Sequence, residues 1–167
     1  MLLLTPPDSQ LGDPALADGK YKMVAGVSWY GFTNYEVEDL FVKEIPRKNP
    51  MHGTTVRILK PGLTPEQQHA VLHEMSPTTW LTKNSPPLLI MHGDKDQAVT
   101  VKHAYYIQKK AEELQAPVEV VIVKNASHNW SYKSGVVPDP SKDEIVEQTV
   151  QFFVNHLRKE KSLILEK

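Results

Sequence analysis

Two segments of the chain hold the residues best suited to chemistry. One is His92-Gly93-Asp94-Lys95-Asp96-Gln97-Ala98-Val99 and the other is Asn125-Ala126-Ser127-His128-Asn129-Trp130. A carboxylate one loop ahead of a histidine is the orienting half of a nucleophilic hydrolase. The acid fixes the imidazole tautomer and stabilises the imidazolium, and the imidazole is the general base. Asp96 and His128 lie 32 residues apart, room for one helix and one strand, so both side chains can reach the same end of adjacent strands. A nucleophile is harder to find. Ser28, in Gly26-Val27-Ser28-Trp29-Tyr30, and Ser127 are the candidates within the chain, and a buried strand serine is the plainer expectation for Ser28.

The elements that must position these loops follow from the hydrophobic pattern. Lys22 to Tyr30 is apolar without helical spacing and closes at Gly31, which predicts a buried strand. Residues 34–75 form a lid-like excursion with turn chemistry at Pro46, at Pro50 to Gly53 and at Pro61-Gly62. Asn34 could cap one short helix there. A second helix starts at Thr64-Pro65-Glu66-Gln67, where a capping residue precedes proline at the first helical position, and ends near Met75 before Ser76-Pro77. Pro86 to Gly93 is a continuous apolar run breaking into a polar loop, as a central parallel strand does. Val101, Ala104, Ile107, Ala111 and Leu114 then recur at helical spacing. Val118 to Val123 is a β-branched strand, and a last helix runs from about Ser141 to Lys159 with Val146, Val150, Phe153 and Leu157 on one face. Strand and helix alternating in this order predict an α/β domain, a parallel sheet with flanking helices and right-handed crossovers. No repeat or linker divides the 167 residues, so a single domain is expected.

Composition narrows the function classes. Nineteen basic and twenty acidic residues leave a net charge of −1, with no basic surplus to neutralise phosphates, so nucleic acid is not an expected partner. The absence of cysteine excludes disulfides, thiolate zinc sites and cysteine nucleophiles together. Met1-Leu2-Leu3-Leu4 is broken at once by Thr5-Pro6-Pro7-Asp8, too short for a signal peptide or a membrane span. His69 and His73, with Glu66 a turn earlier, have metal-capable spacing, but they lack the His-Glu-x-x-His order of zinc peptidases, and a solvated helix face with no metal is the expectation. His92 is expected to be buried at a strand end. His52, His103 and His156 are expected to be exposed, and Arg158 to Lys161 to form a solvated helix end. Trp29, Tyr30 and Trp130 flank the expected cleft and could line an acyl or aryl pocket, although aromatics at strand ends also serve as core.

Beyond these patterns, Met75-Ser76-Pro77, Ser85 to Asp96, Pro117 to Val121 and Ala126-Ser127-His128 together resemble the C-terminal half of an α/β-hydrolase. Within that fold the similarity is to carboxylesterases related to acetyl xylan and feruloyl esterases and to the prolyl oligopeptidase catalytic domain. Val24 to Gly31 resembles the family's sixth strand and the turn after it, so the resemblance covers roughly residues 20 to 160. It implies that Asp96 is the triad acid, that His128 is the triad base and that Asp94 holds the turn. It also implies a small-molecule ester as substrate, without a cofactor. Carbohydrate acetate, feruloyl ester, short-chain lipid ester and peptide all fit what is present.

The departures from the family pattern are specific. No Gly-x-Ser-x-Gly elbow occurs, Tyr30 standing where the Ser28 candidate would need its second glycine, and Ser127 replaces the glycine that usually precedes the histidine. The upstream oxyanion loop is absent as well. The chain is therefore expected to begin just after the nucleophile helix, with Met1 to Leu4 as that helix's last turn and residues 1–20 as the segment following it. Such a half sheet leaves its first strand with an unpaired edge, so either a homo-oligomer or association with a missing N-terminal half is expected there. Three readings follow: an ester hydrolase completed by the missing half, a non-catalytic α/β domain used for binding or oligomerisation, and a minimal esterase recruiting Ser28 or Ser127.

Overall fold

The structure, a computed structural model, describes residues 23–41, 59–133 and 135–165, with backbone alone for 158–165. The expectations for residues 1–20, for His52 and for the charges at 158–161 lie outside the described residues or side chains.

The central strand is the apolar run Leu88–Gly93 (β2), every residue of which is buried. Gly26–Trp29 (β1) pairs with it on one side and Val118–Val123 (β3) on the other, both parallel, giving the order β1-β2-β3. Side chains alternate across a strand, and the alternation divides the core in two. Leu88 and Ile90 pack with Ala104, Ile107 and Ala111 of the helix Lys102–Leu114 (α2) on one face. Leu89 and Met91 pack with Ile145 and Phe152 of the helix Lys142–Leu165 (α3) on the other. This is the parallel sheet with flanking helices that the sequence predicts. Over this portion the architecture is an α/β one, a parallel three-stranded sheet with a helix on each face.

The helix Pro65–Met75 (α1) begins and ends where expected. Thr64 accepts from the Gln67 amide at 3.3 Å while the Gln67 side chain accepts from the Thr64 amide at 2.9 Å, a reciprocal capping box. The short helix near Asn34 is a single 3-10 turn at Glu38–Leu40. Asn34 prepares it by accepting from the Glu36 and Val37 amides at 2.8 and 2.9 Å.

Three expectations require correction. The stripe Val146, Val150 and Leu157 of α3 does not face the core: these residues are 51%, 55% and 51% exposed. The buried stripe is offset by one residue, with Ile145 and Phe152 buried and Thr149 between them, because Thr149 Oγ1 accepts the Trp29 indole N–H at 3.1 Å. A helix with two adjacent apolar stripes gives the same period for both, and the half-buried indole donor on β1 selects between them.

His103 is fully buried rather than exposed. Its ring is edge-on to Phe32 and Phe41 with centroids at 5.1 and 5.3 Å, and the Thr33 amide donates to its Nδ1 at 3.3 Å. His156 is half-buried, its Nδ1 donating to the Phe152 carbonyl at 2.8 Å and its ring resting on Phe152. Among the described residues no helix is long and apolar enough to cross a membrane.

Candidate active site at the carboxyl ends of β2 and β3

The loops leaving β2 and β3 meet at Gly93, at the carboxyl end of the sheet where open α/β sheets gather their reactive groups. A Cβ built on Gly93 would stand 2.3 Å from the Ala126 carbonyl oxygen and 2.8 Å from its carbon, so only glycine allows this approach. The amides of Asp94 and Lys95 then donate to the Val123 and Ala126 carbonyls at 3.0 and 2.9 Å, and the two loops are held together by backbone. The Asp94 side chain pairs with Lys95 at 3.2 Å, so the described hydrogen bonds of the turn are made by main chain rather than by that carboxylate.

The junction sets the partners of Asp96. Its side chain is fully buried. Oδ1 accepts from the Ala98 and Val99 amides, both at 2.9 Å, and Oδ2 accepts from His128 Nδ1 at 2.8 Å. Burial pushes the Asp96 carboxyl up, but hydrogen bonds from His92, His128, Val99 and Ala98 outweigh it and hold the group below the ordinary carboxylate range. An ionised carboxylate on Nδ1 fixes the imidazole as the Nδ1–H tautomer and leaves the Nε2 lone pair free to accept a proton. The His128 side chain is 31% exposed, and among the described residues its Nε2 takes no hydrogen bond.

Tyr30 packs against that imidazole in a tilted arrangement, with ring centroids 4.6 Å apart. It follows β1 with φ 47 while its amide still donates to the Met91 carbonyl at 2.8 Å, so the chain turns sharply just past the last ladder position. Trp130 also has positive φ, at 57, and meets Tyr30 with centroids 4.9 Å apart. Bulky residues in the left-handed region cost about 1–3 kcal/mol each and tend to cluster at functional sites. Trp130 is 6% exposed and packs into the core with Ile145 and Phe152, while Trp29 directs its indole N–H to Thr149 on α3. Of the three aromatics expected along a cleft, Tyr30 is the one whose ring touches His128.

Other sequence candidates separate from this cluster. Ser28 lies on β1 opposite Ile90, and its Oγ fills the space beside Gly31, where a Cβ would approach to 2.6 Å. Among the described residues no hydrogen bond joins Ser28 to His128, and the chain beyond it leaves as a loop rather than a helix. The Ser127 amide donates to the Ser131 carbonyl at 2.7 Å, which closes the turn carrying His128. His69 and His73 face Glu36 instead of Glu66, at 3.4 and 3.1 Å, with side chains 72% and 55% exposed. Among the described residues no group of three such side chains is arranged to hold a metal ion.

The BD-FAE family profile matches residues 9–111, more than half of the chain. The chain belongs to the BD-FAE family. Asp96 falls within the matched span and His128 beyond it. The chain is 29% identical over 129 residues to the "Uncharacterized peptidase YtmA" of Bacillus subtilis (strain 168), covering 77% of this chain and 44% of that protein. Among solved structures it is similar to Thermogutta terrifontis esterase 2 phosphonylated by sarin, with TM-score 0.55 and 15% identity over 91% of this chain and 50% of that one. A truncated form of a carbohydrate esterase from gut microbiota aligns with TM-score 0.50 and 18% identity over 65% of this chain and 36% of that one. This BD-FAE chain thus spans about half the length, or less, of these relatives.

Proposed function

We propose that this chain supplies the acid and the base of a carboxylic-ester hydrolase of the Ser-His-Asp type. The observation that carries the proposal is the Asp96 carboxylate, buried and pinned by two amides, accepting from His128 Nδ1 at 2.8 Å while the imidazole reaches the surface. In this reading Asp96 orients the ring and stabilises the imidazolium, and His128 Nε2 takes the proton from the nucleophile and returns it to the leaving alkoxide. The nucleophile is a serine outside these 167 residues, since no Gly-x-Ser-x-Gly elbow is present and Ser28 makes no bond to His128. Tyr30, beside His128, lines the acyl pocket, with Trp29 and Trp130 behind it.

The substrate is a small ester. The carbohydrate esterase and esterase 2 among the structural relatives support that choice, and the peptidase name of the Bacillus subtilis relative makes an amide the competing substrate. The outer edge of β1 pairs with no strand among the described residues, and we assign it to a strand of a preceding half of the fold.

The test is p-nitrophenyl acetate hydrolysis by a protein carrying both halves. His128→Ala should lower kcat by at least about a thousandfold with the fold intact. Unchanged turnover would remove His128 from the mechanism. A missing elbow also favours a second reading, a non-catalytic domain, which predicts no turnover in any two-half protein that folds.

A further inference from the structure

Asp96 is approached by a second imidazole. His92 lies four residues earlier, across the Gly93 turn, and both its side chain and that of Asp96 are wholly buried. His92 Nε2 stands 2.8 Å from the Val99 carbonyl oxygen and 3.4 Å from Asp96 Oδ2. A carbonyl oxygen only accepts, so Nε2 carries the proton, which bonds the Val99 carbonyl, and Asp96 Oδ2 is the second acceptor within reach of that nitrogen. Oδ2 is thus the oxygen shared by two histidines, His128 from the exposed side and His92 from the interior. Being inaccessible, His92 cannot meet a substrate.

We propose that His92 is a positioning residue: its Nε2–H restrains Asp96 Oδ2 from the buried side, where that oxygen engages His128 Nδ1. The inference rests on the reading of Asp96 and His128 as acid and base. The Ala98 and Val99 amides hold Oδ1, and His92 beside Oδ2 adds a contact on the buried side that opposes rotation of the carboxylate about the Cβ–Cγ bond and, through it, of the His128 ring. Burial raises Asp96, and the contacts from both His92 and His128 lower it. The other charged or titratable groups nearby are His103 on α2, whose pKa is lowered to about 4 by burial first and then by His92, and the Asp94 and Lys95 pair on the turn. His103 is therefore neutral near pH 7 and brings no positive charge to Asp96.

The experiment follows the Asp96 side-chain 13C resonance against pH in the 167-residue chain, for the unmodified protein, His92→Leu and His92→Gln. Glutamine carries an N–H the same number of bonds from the backbone as His92 Nε2. His92→Leu should move the Asp96 midpoint upward and His92→Gln should leave it near the unmodified position, which a purely space-filling role would not produce. A folded His92→Leu that titrates like the unmodified chain overturns the proposal, and so does a His92→Gln that shifts as far as His92→Leu. If His92→Leu does not fold, the unmodified chain decides through its long-range 1H–15N spectrum. A His92 Nε2–H proton whose shift follows the Asp96 titration supports the proposal, and one that is indifferent to that titration, or an Nδ1–H tautomer, overturns it. No readout here depends on ester turnover, so failure of the hydrolase reading would leave this result distinguishable.

Discussion

Substituting Gly93 with alanine tests the junction that brings Asp96 and His128 together. A Cβ at 93 would sit 2.3 Å from the Ala126 carbonyl oxygen, 2.8 Å from its carbon and 3.0 Å from the Ser127 oxygen, all backbone atoms. Ordinary contact requires the Ala126 loop to retreat by about 1 Å, and overpacking of this kind costs about 1–3 kcal/mol. The retreat also stretches the bond from Lys95 to Ala126, 2.9 Å, and that from Asp94 to Val123, 3.0 Å. Each is worth about 1 kcal/mol. Gly93→Ala should therefore destabilise the chain by about 3 kcal/mol, which for a domain of this size lowers Tm by roughly 6–12 °C. Urea denaturation gives the first quantity, and the low-field proton of the His128 Nδ1 bond reports whether the pair survives. A variant within about 0.5 kcal/mol of the unmodified chain, with that proton in place, would refute the steric reasoning.

Other outcomes follow from the same geometry. His103 is held neutral, its pKa lowered from 6.5 to about 4, so the unfolded chain binds a proton in that window and the folded chain does not. Stability is fully present above about pH 6.5 and falls by roughly 3 kcal/mol as pH drops to 4. Urea midpoints across this range should flatten in His103→Gln, and an unchanged slope would contradict the assignment. Asp96, lowered below the ordinary carboxylate range, acts in the adjoining window: its contribution is present above about pH 4 and is lost as pH falls through its folded pKa. Acid unfolding of Asp96→Asn should lack that limb. Thr64→Ala removes one side of the capping box and should cost about 1 kcal/mol by thermal melting. Tyr30→Phe should retain the ring contact with His128 and ester turnover in the two-half protein, whereas Tyr30→Gly relieves the φ 47 strain but loses the ring, so kcat should fall while Tm changes little.

Much of this arrangement is legible in the residues because it is set locally. Thr64-Pro65 caps α1, the apolar run at 88–93 makes the central strand, and Asp96 and His128 sit where strands end and loops begin. The less legible features depend on partners distant in sequence. The register of α3 is chosen by Trp29, 120 residues from the Thr149 it bonds. His103 has the spacing of a solvated helix residue and is buried only because the 32–41 loop folds over it. The left-handed turn at Tyr30 has no glycine or asparagine to signal it. The contact of His92 with Asp96 did have a signal, a histidine four residues before an acid across a glycine turn.

The most direct measurement is the intact mass of the protein after incubation with a fluorophosphonate, which forms a stable adduct only with an activated serine. The account predicts no adduct on the folded 167-residue chain. In a protein carrying both halves it predicts one adduct, on a serine of the first half, and none after His128→Ala. An adduct on Ser28 or Ser127 of the chain alone, or equal labelling of the two-half protein with and without His128, would contradict it.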